Sequence, residues 1–220
     1  MLGAYQYVMR HPMMVAGWIT DHLYISLIAV VIGTILGVTT GIFIAEKGRK
    51  QTADVVLYFA EIMMTVPSLA LFGLLMLLLN CMGLSAIGLL PAVITLVIYS
   101  QLPILRNTYT AIRQIDQTMI DAGKGMGMSE SQLLLRIKLP LALPVIMAGI
   151  RNAMILTIGI AAIAALIGAG GLGVPIFRGL RNARMDLIVI GGISVSILAL
   201  LIDGLMALLE RWFTPKGLRS

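Results

Sequence analysis

Five apolar runs, each long enough to cross a bilayer as a helix, decide what this chain can fold into. They cover residues 23–45, 55–79, 86–105, 145–167 and 187–209. A hydrocarbon core about 30 Å thick takes about 20 helical residues to cross. The runs are continuous rather than alternating, which argues against the strands of a membrane barrel. Composition agrees, because 59% of the 220 residues are hydrophobic and only 12% charged, about half the charge of a soluble domain. The expected fold is an all-α integral membrane protein with about five transmembrane helices. No basic stretch followed by a short apolar core opens the chain, so no cleavable signal peptide is expected.

The net charge of +6 does not call for nucleic acid. In a membrane protein the informative quantity is which side holds the Lys and Arg. Lys47, Arg49 and Lys50 follow the first run; Arg106, Arg113, Lys124, Arg136 and Lys138 lie between the third and fourth; Arg211, Lys216 and Arg219 end the chain. With five spans all three groups share one side, and the uncharged loop at 80–85 lies on the other. The positive-inside rule makes the basic side cytoplasmic, with the N-terminus outside and the C-terminus inside. Arg178, Arg181 and Arg184 break the rule by falling outside, and their spacing of three would form one stripe on a helix. They keep open a rival reading, an extra or re-entrant element near 168–180. A surface-lying segment is expected at 1–22, with Tyr5, Tyr7 and Trp18 at headgroup depth. It precedes a membrane domain at 23–210 and a cytoplasmic tail at 211–220, with Trp212 anchoring the opposite interface.

The polar content of the runs is sparse. Glu61, Arg151 and Asp203 lie inside them, each about 9–10 Å from the basic end at 1.5 Å per residue. Intramembrane charges are costly, so Arg151 is expected to meet Glu61 or Asp203, with Asn152 and Asn107 as further polar partners. Separate snorkelling to the near interface is the alternative. Gly33, Gly37 and Gly41 form a small-residue stripe for close helix packing, within the chain or against a second one. Pro67, Pro91 and Pro103 are expected to kink their spans. Gly168, Gly170, Gly171 and Gly173, in GAGGLG, suggest an outer re-entrant turn near a gate. Cys81 is the one cysteine, and His11 and His22 have no third ligand nearby; both histidines are read as interfacial polar residues, and no metal site is expected.

The stretch from Arg106 to Leu139 is the one sizeable hydrophilic connection. Its glycines and Lys124 match neither G-x-x-x-x-G-K-[ST] nor G-x-G-x-x-G, so it is not a phosphate cradle. Helix logic serves it better. Ile115, Met119 and Ala122 or Gly123 are spaced to share a small apolar face. Gly127 can take a positive φ and end that helix in a tight turn. Ser129 with Gln132 has the pattern of a capping box opening a second helix, on which Leu133, Leu134 and Ile137 cluster. Pro140 and Pro144 stand where the chain re-enters the membrane. The segment at 113–140 is therefore expected to be helix, glycine turn, helix.

These residues resemble a known family. Permease subunits of binding-protein-dependent ABC importers carry a cytoplasmic signature of Glu-Ala-Ala, three residues, Gly, nine residues, then Ile-x-Leu-Pro. This chain has Asp121-Ala122-Gly123, three residues, Gly127, nine residues, then Ile137-Lys138-Leu139-Pro140. Asp replaces Glu and Gly replaces the second Ala, while the carboxylate is kept. DHLYISL (21–27), TVPSLAL (65–71), LPILRNTYTAI (102–112), LPVIMAGIR (143–151), GAGGLG (168–173) and ERWFTPKGLR (210–219) further resemble the osmoprotectant branch, which takes up glycine betaine, carnitine and choline.

The resemblance implies a type I importer fold whose signature helix couples to a separate cytoplasmic ATPase. Asp121, Ala122, Gly123, Lys124, Gly127, Ile137, Leu139 and Pro140 are the coupling residues it marks. It also implies a second permease, identical or related, and a separate extracytoplasmic binding protein. ATP and Mg would then sit on the ATPase, and this chain would be a non-catalytic subunit without a cofactor. An importer permease for another small solute such as an amino acid, a self-contained secondary transporter and a membrane enzyme are the competing readings. The last two lack their expected marks, an inverted repeat and a His/Glu or Ser-His constellation.

Overall fold

The computed structural model describes residues 2–46 and 49–213, so Lys47, Lys216 and Arg219 of the charge pattern lie outside the described residues. The described residues form helices and connecting turns with no strand. Helix α1 (Leu2–Arg10) precedes a long α2 (Pro12–Ala45), then α3 (Lys50–Thr65) and α4 (Ser68–Cys81), then α5 (Leu89–Arg113). The polar connection holds α6 (Gln117–Gly125) and α7 (Glu130–Leu133), followed by α8 (Leu139–Ala161), a short α9 (Gly173–Arg181) and α10 (Met185–Phe213). Helices α2, α5 and α10, together with the continuous stretch Glu130–Ala161, are each long and apolar enough to cross a membrane. Helices α3 and α4 form a fifth candidate, bent by 102° at Val66–Pro67.

The bent pair crosses. The last turns of α2 (Ile42, Ala45) and α5 (Ile112) line one cavity, so both helices end on the same side. The chain leaves α2 on that side and must reach the far side before α5 can return. At the far side the Gly88 amide donates to the Ile167 carbonyl (2.7 Å), just beyond the end of α8. Five crossings result, with the start of α2 and the end of α10 on opposite sides. Helix α9, at about 13 Å, is too short to add another crossing, so of the rival reading near 168–180 only the re-entrant form is left.

Inside a bilayer, helix association gains little from burying apolar surface and depends on close packing. The glycine stripe provides it within the chain. A Cβ on Gly33 would lie 2.0 Å from Ser100 Oγ, one on Gly37 2.7 Å from Ile104 Cγ2, and one on Gly41 2.7 Å from Thr108 Cβ. Helix α5 therefore lies against α2 along two turns, closer than any side chain would allow. Gly149 on α8 meets α5 in the same way, 2.8 Å from the Pro103 carbonyl. Ile25, Ala29, Phe72, Ala92, Leu96 and Ala164 pack the far-side half of this bundle, and Ala45, Ile112, Ala142 and Ile146 the basic-side half.

Several expectations shift. The first span begins at Pro12, so the second half of the expected surface segment belongs to α2. Trp18 is buried among Val15, Leu172 and Leu198, while Trp212 is exposed. Helix α5 runs on to Arg113, past the apolar run, because polar residues continue a helix where its end leaves the hydrocarbon. Pro91 stands in the first turn of α5, where no N–H is needed, and bends nothing. Pro67 stands at the break between α3 and α4, where the bend is sharp.

Candidate functional site

The polar connection folds as helix, turn, helix. Asp116 caps α6 by accepting from the Thr118 amide (2.9 Å), and that hydrogen bond holds its carboxyl below the usual aspartate value. Helix α6 ends in a Schellman closure: the Gly127 amide donates to the Lys124 carbonyl (2.9 Å) and the Met128 amide to the Gly123 carbonyl (3.1 Å). Gly127 takes φ +79° to make this closure. Two residues on, Ser129 and Gln132 form a reciprocal capping box. Lys124 and Glu130 bridge the turn at 2.6 Å, and the Glu130 carboxylate raises the Lys124 ammonium above its ordinary value.

Beyond the turn the helix does not stop before the membrane. Glu130–Ala161 is continuous, with one wide π turn at Leu134–Lys138 where the Leu139 amide reaches the Leu134 carbonyl. Pro140 explains the widening. It has no N–H for the Arg136 carbonyl, and its ring would strike that carbonyl in a regular turn. The signature Leu139-Pro140 thus lies within one continuous helix.

The faces of α6 sort its signature residues. Asp121 and Ala122 are exposed, with Asp121 held by Gln117 Nε2 (2.8 Å). Gly123 points inward, where a Cβ would meet Leu133 Cδ2 at 2.6 Å and Ile137 Cδ1 at 2.9 Å. Of the first three signature residues, Asp121 and Ala122 therefore face outward and Gly123 packs inward. The inward apolar residue is Ile120, 7% exposed, not Met119, 49% exposed. A cavity of about 480 Å³ separates this unit from the ends of α2 and α5; Ile42, Glu46, Ile112, Ile120, Lys124 and Lys138 are among its lining. The unit joins the α8 rod through α7.

Of the two carboxylates expected for Arg151, the structure pairs it with Asp203. Arg151 grips Asp203 twice (Nε–Oδ1 2.5 Å, Nη2–Oδ2 2.7 Å) and reaches Glu210 at 3.6 Å, joining α8 to α10. Glu61 pairs with Arg106 instead. Asn152 is exposed and Asn107 donates to the Pro103 carbonyl (2.7 Å), so neither serves Arg151.

The glycine turn is a true reversal, with φ +79°, +85° and +81° at Gly168, Gly170 and Gly171. Gly173 opens α9 so close to Ala162 that a Cβ would lie 1.8 Å from its carbonyl oxygen. His22 holds the turn. Fully buried, its Nδ1 accepts from the Leu172 amide (3.2 Å) and its Nε2 donates to the Ile158 carbonyl (3.0 Å). Two carbonyl-and-amide partners fix the neutral Nε2–H tautomer, which corrects the interfacial reading of this residue. The arginine stripe is also broken: α9 ends at Arg181, and Arg184 pairs with Asp186 (2.5 Å) while its guanidinium lies over Tyr7. Arg178 and Arg181 are exposed.

Five crossings, a continuous helix forming the fourth of them, and a small helix presented at its end make up the fold of a multi-pass membrane protein. The chain belongs to the family described as binding-protein-dependent transport system inner membrane component, whose model matches residues 37–215. It is 44% identical over 200 residues to the Bacillus subtilis glycine betaine/carnitine/choline transport system permease protein OpuCB, covering 91% of this chain and 88% of that one. The Salmonella typhimurium osmoprotectant import permease protein OsmW is 41% identical over 199 residues, covering 90% and 91%. The fold matches the MetNI methionine ABC transporter in an inward-facing conformation, with TM-score 0.82, 21% identity and coverage of 93% and 99%. A second match is an amino acid ABC transporter (TM-score 0.76, 20% identity, coverage 94% and 97%).

Proposed function

We propose that this chain is the permease subunit of an ATP-driven importer for a small quaternary ammonium osmoprotectant of the glycine betaine, carnitine or choline kind. A separate binding protein delivers the solute, and a second permease, identical or related, completes the path. The observation that carries the reading is the α6 unit, an exposed Asp121–Ala122 face locked by a closed turn to a continuous helix long and apolar enough to cross the membrane. A separate ATPase, holding ATP and Mg, docks on that face. Closure of two ATPase subunits pushes α6, and the α8 rod tilts with it. Lys124 and Gly127 keep the turn closed, while Gly123, Ile137, Leu139 and Pro140 make the joint to the rod stiff. The basic side is cytoplasmic, so the N-terminus is outside and the C-terminus inside. The names of the relatives support the solute class.

The test is reconstitution of the chain with its ATPase and binding protein in proteoliposomes, followed by uptake of labelled glycine betaine, carnitine and choline. ATP-dependent uptake of at least one is expected. Uptake without the ATPase, or uptake of none, contradicts the proposal.

A further inference from the structure

The break between α3 and α4 sits where a membrane protein rarely tolerates one. The Tyr99 hydroxyl donates to the Val66 carbonyl and pins the break to α5. Tyr99 lies about 15 Å from the Leu89 end of that helix and about 21 Å from the Arg113 end at 1.5 Å per residue, so the break is near mid-membrane. Thr65 and Pro67 are nevertheless exposed. Pro67 brings no N–H to the Met63 carbonyl, and the end of α3 presents acceptors and the negative end of its dipole. Irregular backbone at this depth is found only against protein or water, not lipid.

A second observation falls on the same face. Glu61 and Arg106 pair about 10 Å nearer the basic side, with side chains 42% and 56% exposed. Exposed intramembrane ion pairs also face water or protein. Tyr58, 65% exposed, precedes Glu61 by three positions, and Thr65 follows by four, so the three share one stripe of α3. An aromatic ring, a carboxylate and a carbonyl-rich helix end suit a quaternary ammonium, which has no N–H and responds only to negative potential and π faces. Arg106 suits a carboxylate.

We propose that Tyr58, the Glu61–Arg106 pair and the Thr65–Pro67 break line the solute path and form a transit site for a zwitterionic quaternary ammonium. The proposal rests on the reading above for its solute class. The first test places Thr65→Cys in a Cys81→Ser background of the complete reconstituted importer. A membrane-impermeant thiosulfonate carrying a trimethylammonium group should label it, several-fold more slowly with saturating glycine betaine inside. Inertness of that cysteine in every nucleotide state overturns the path. The second test compares glycine betaine, a zwitterion, with choline, a cation. Arg106→Gln should lower the glycine betaine to choline uptake ratio at least ten-fold, Arg106→Lys should restore it, and Glu61→Gln should reduce both solutes. An unchanged ratio in Arg106→Gln overturns the solute site. Failure of the unmodified importer to move either compound would instead contradict the assigned function, and Thr65→Cys labelling without added solute would still report the path.

Discussion

Two glycines two residues apart give opposite expectations, and the contrast isolates what the α6 turn does. A Cβ at Gly125 or at Gly127 would meet nothing within 4 Å, so neither substitution creates a clash. Only Gly127 has a positive φ, +79°. Alanine there must adopt the left-handed conformation at a cost of about 1–2 kcal/mol, which opens the turn about 5–30 times more often. Gly125 is helical, so alanine there gains up to about 1 kcal/mol of helix propensity. The assay is residue-resolved hydrogen exchange at the Gly127 and Met128 amides, the donors that close the turn. Gly127→Ala should speed exchange by the factor above, and Gly125→Ala should slow it. Changes of the same sign, or no acceleration in Gly127→Ala, would refute the reasoning that this turn is held by backbone conformation.

Other outcomes follow from the packing and the charges. His22→Ala leaves the Ile158 carbonyl and Leu172 amide without their partner, each costing about 1–3 kcal/mol; thermal unfolding in detergent should show the loss, and an unchanged midpoint would contradict the buried clamp. Gly37→Val forces atoms into Ile104 and should cost about 1–3 kcal/mol or more, whereas Gly73→Ala, with open space, should leave the unfolding midpoint nearly unmoved. Asp203→Asn should destabilise by removing the charge opposite Arg151 and one of the two oxygens it grips, and Arg151→Met with Asp203→Leu should recover most of the loss. Because the Lys124 pKa is raised, the contribution of its bridge to Glu130 is complete below the ordinary lysine value of about 10.4 and disappears as pH rises through the higher folded value. A spin label at Met126→Cys, in a Cys81→Ser background, should stay immobile through pH 9–10, an interval of about one unit below that value; loosening there would contradict the bridge.

Helix content, the crossing count and the helix–turn–helix at 113–140 were legible because each has a local cause. Apolar length, a glycine able to take positive φ, and a Ser-x-x-Gln box act within a few residues. What escaped depends on contacts between distant helices. Nothing near His22 in the chain reveals that Leu172 and Ile158 will flank it. Arg106 lies outside the apolar run, which hid it as the partner of Glu61, and the Tyr99 tie to Val66 spans two elements. The inward turn of Gly123 had a readable signal that was missed: Ile120 and Gly123 are three apart, and one face cannot serve both Leu133 and an external partner.

The central claim, that an external motor acts on α8 through the outward face of α6, meets its most direct test in Asp121→Lys. Uptake and ATP hydrolysis would be measured in the same proteoliposomes, with insertion checked alongside. The account predicts normal insertion and continued hydrolysis with uptake reduced at least ten-fold. Uptake equal to that of the unmodified protein would contradict it.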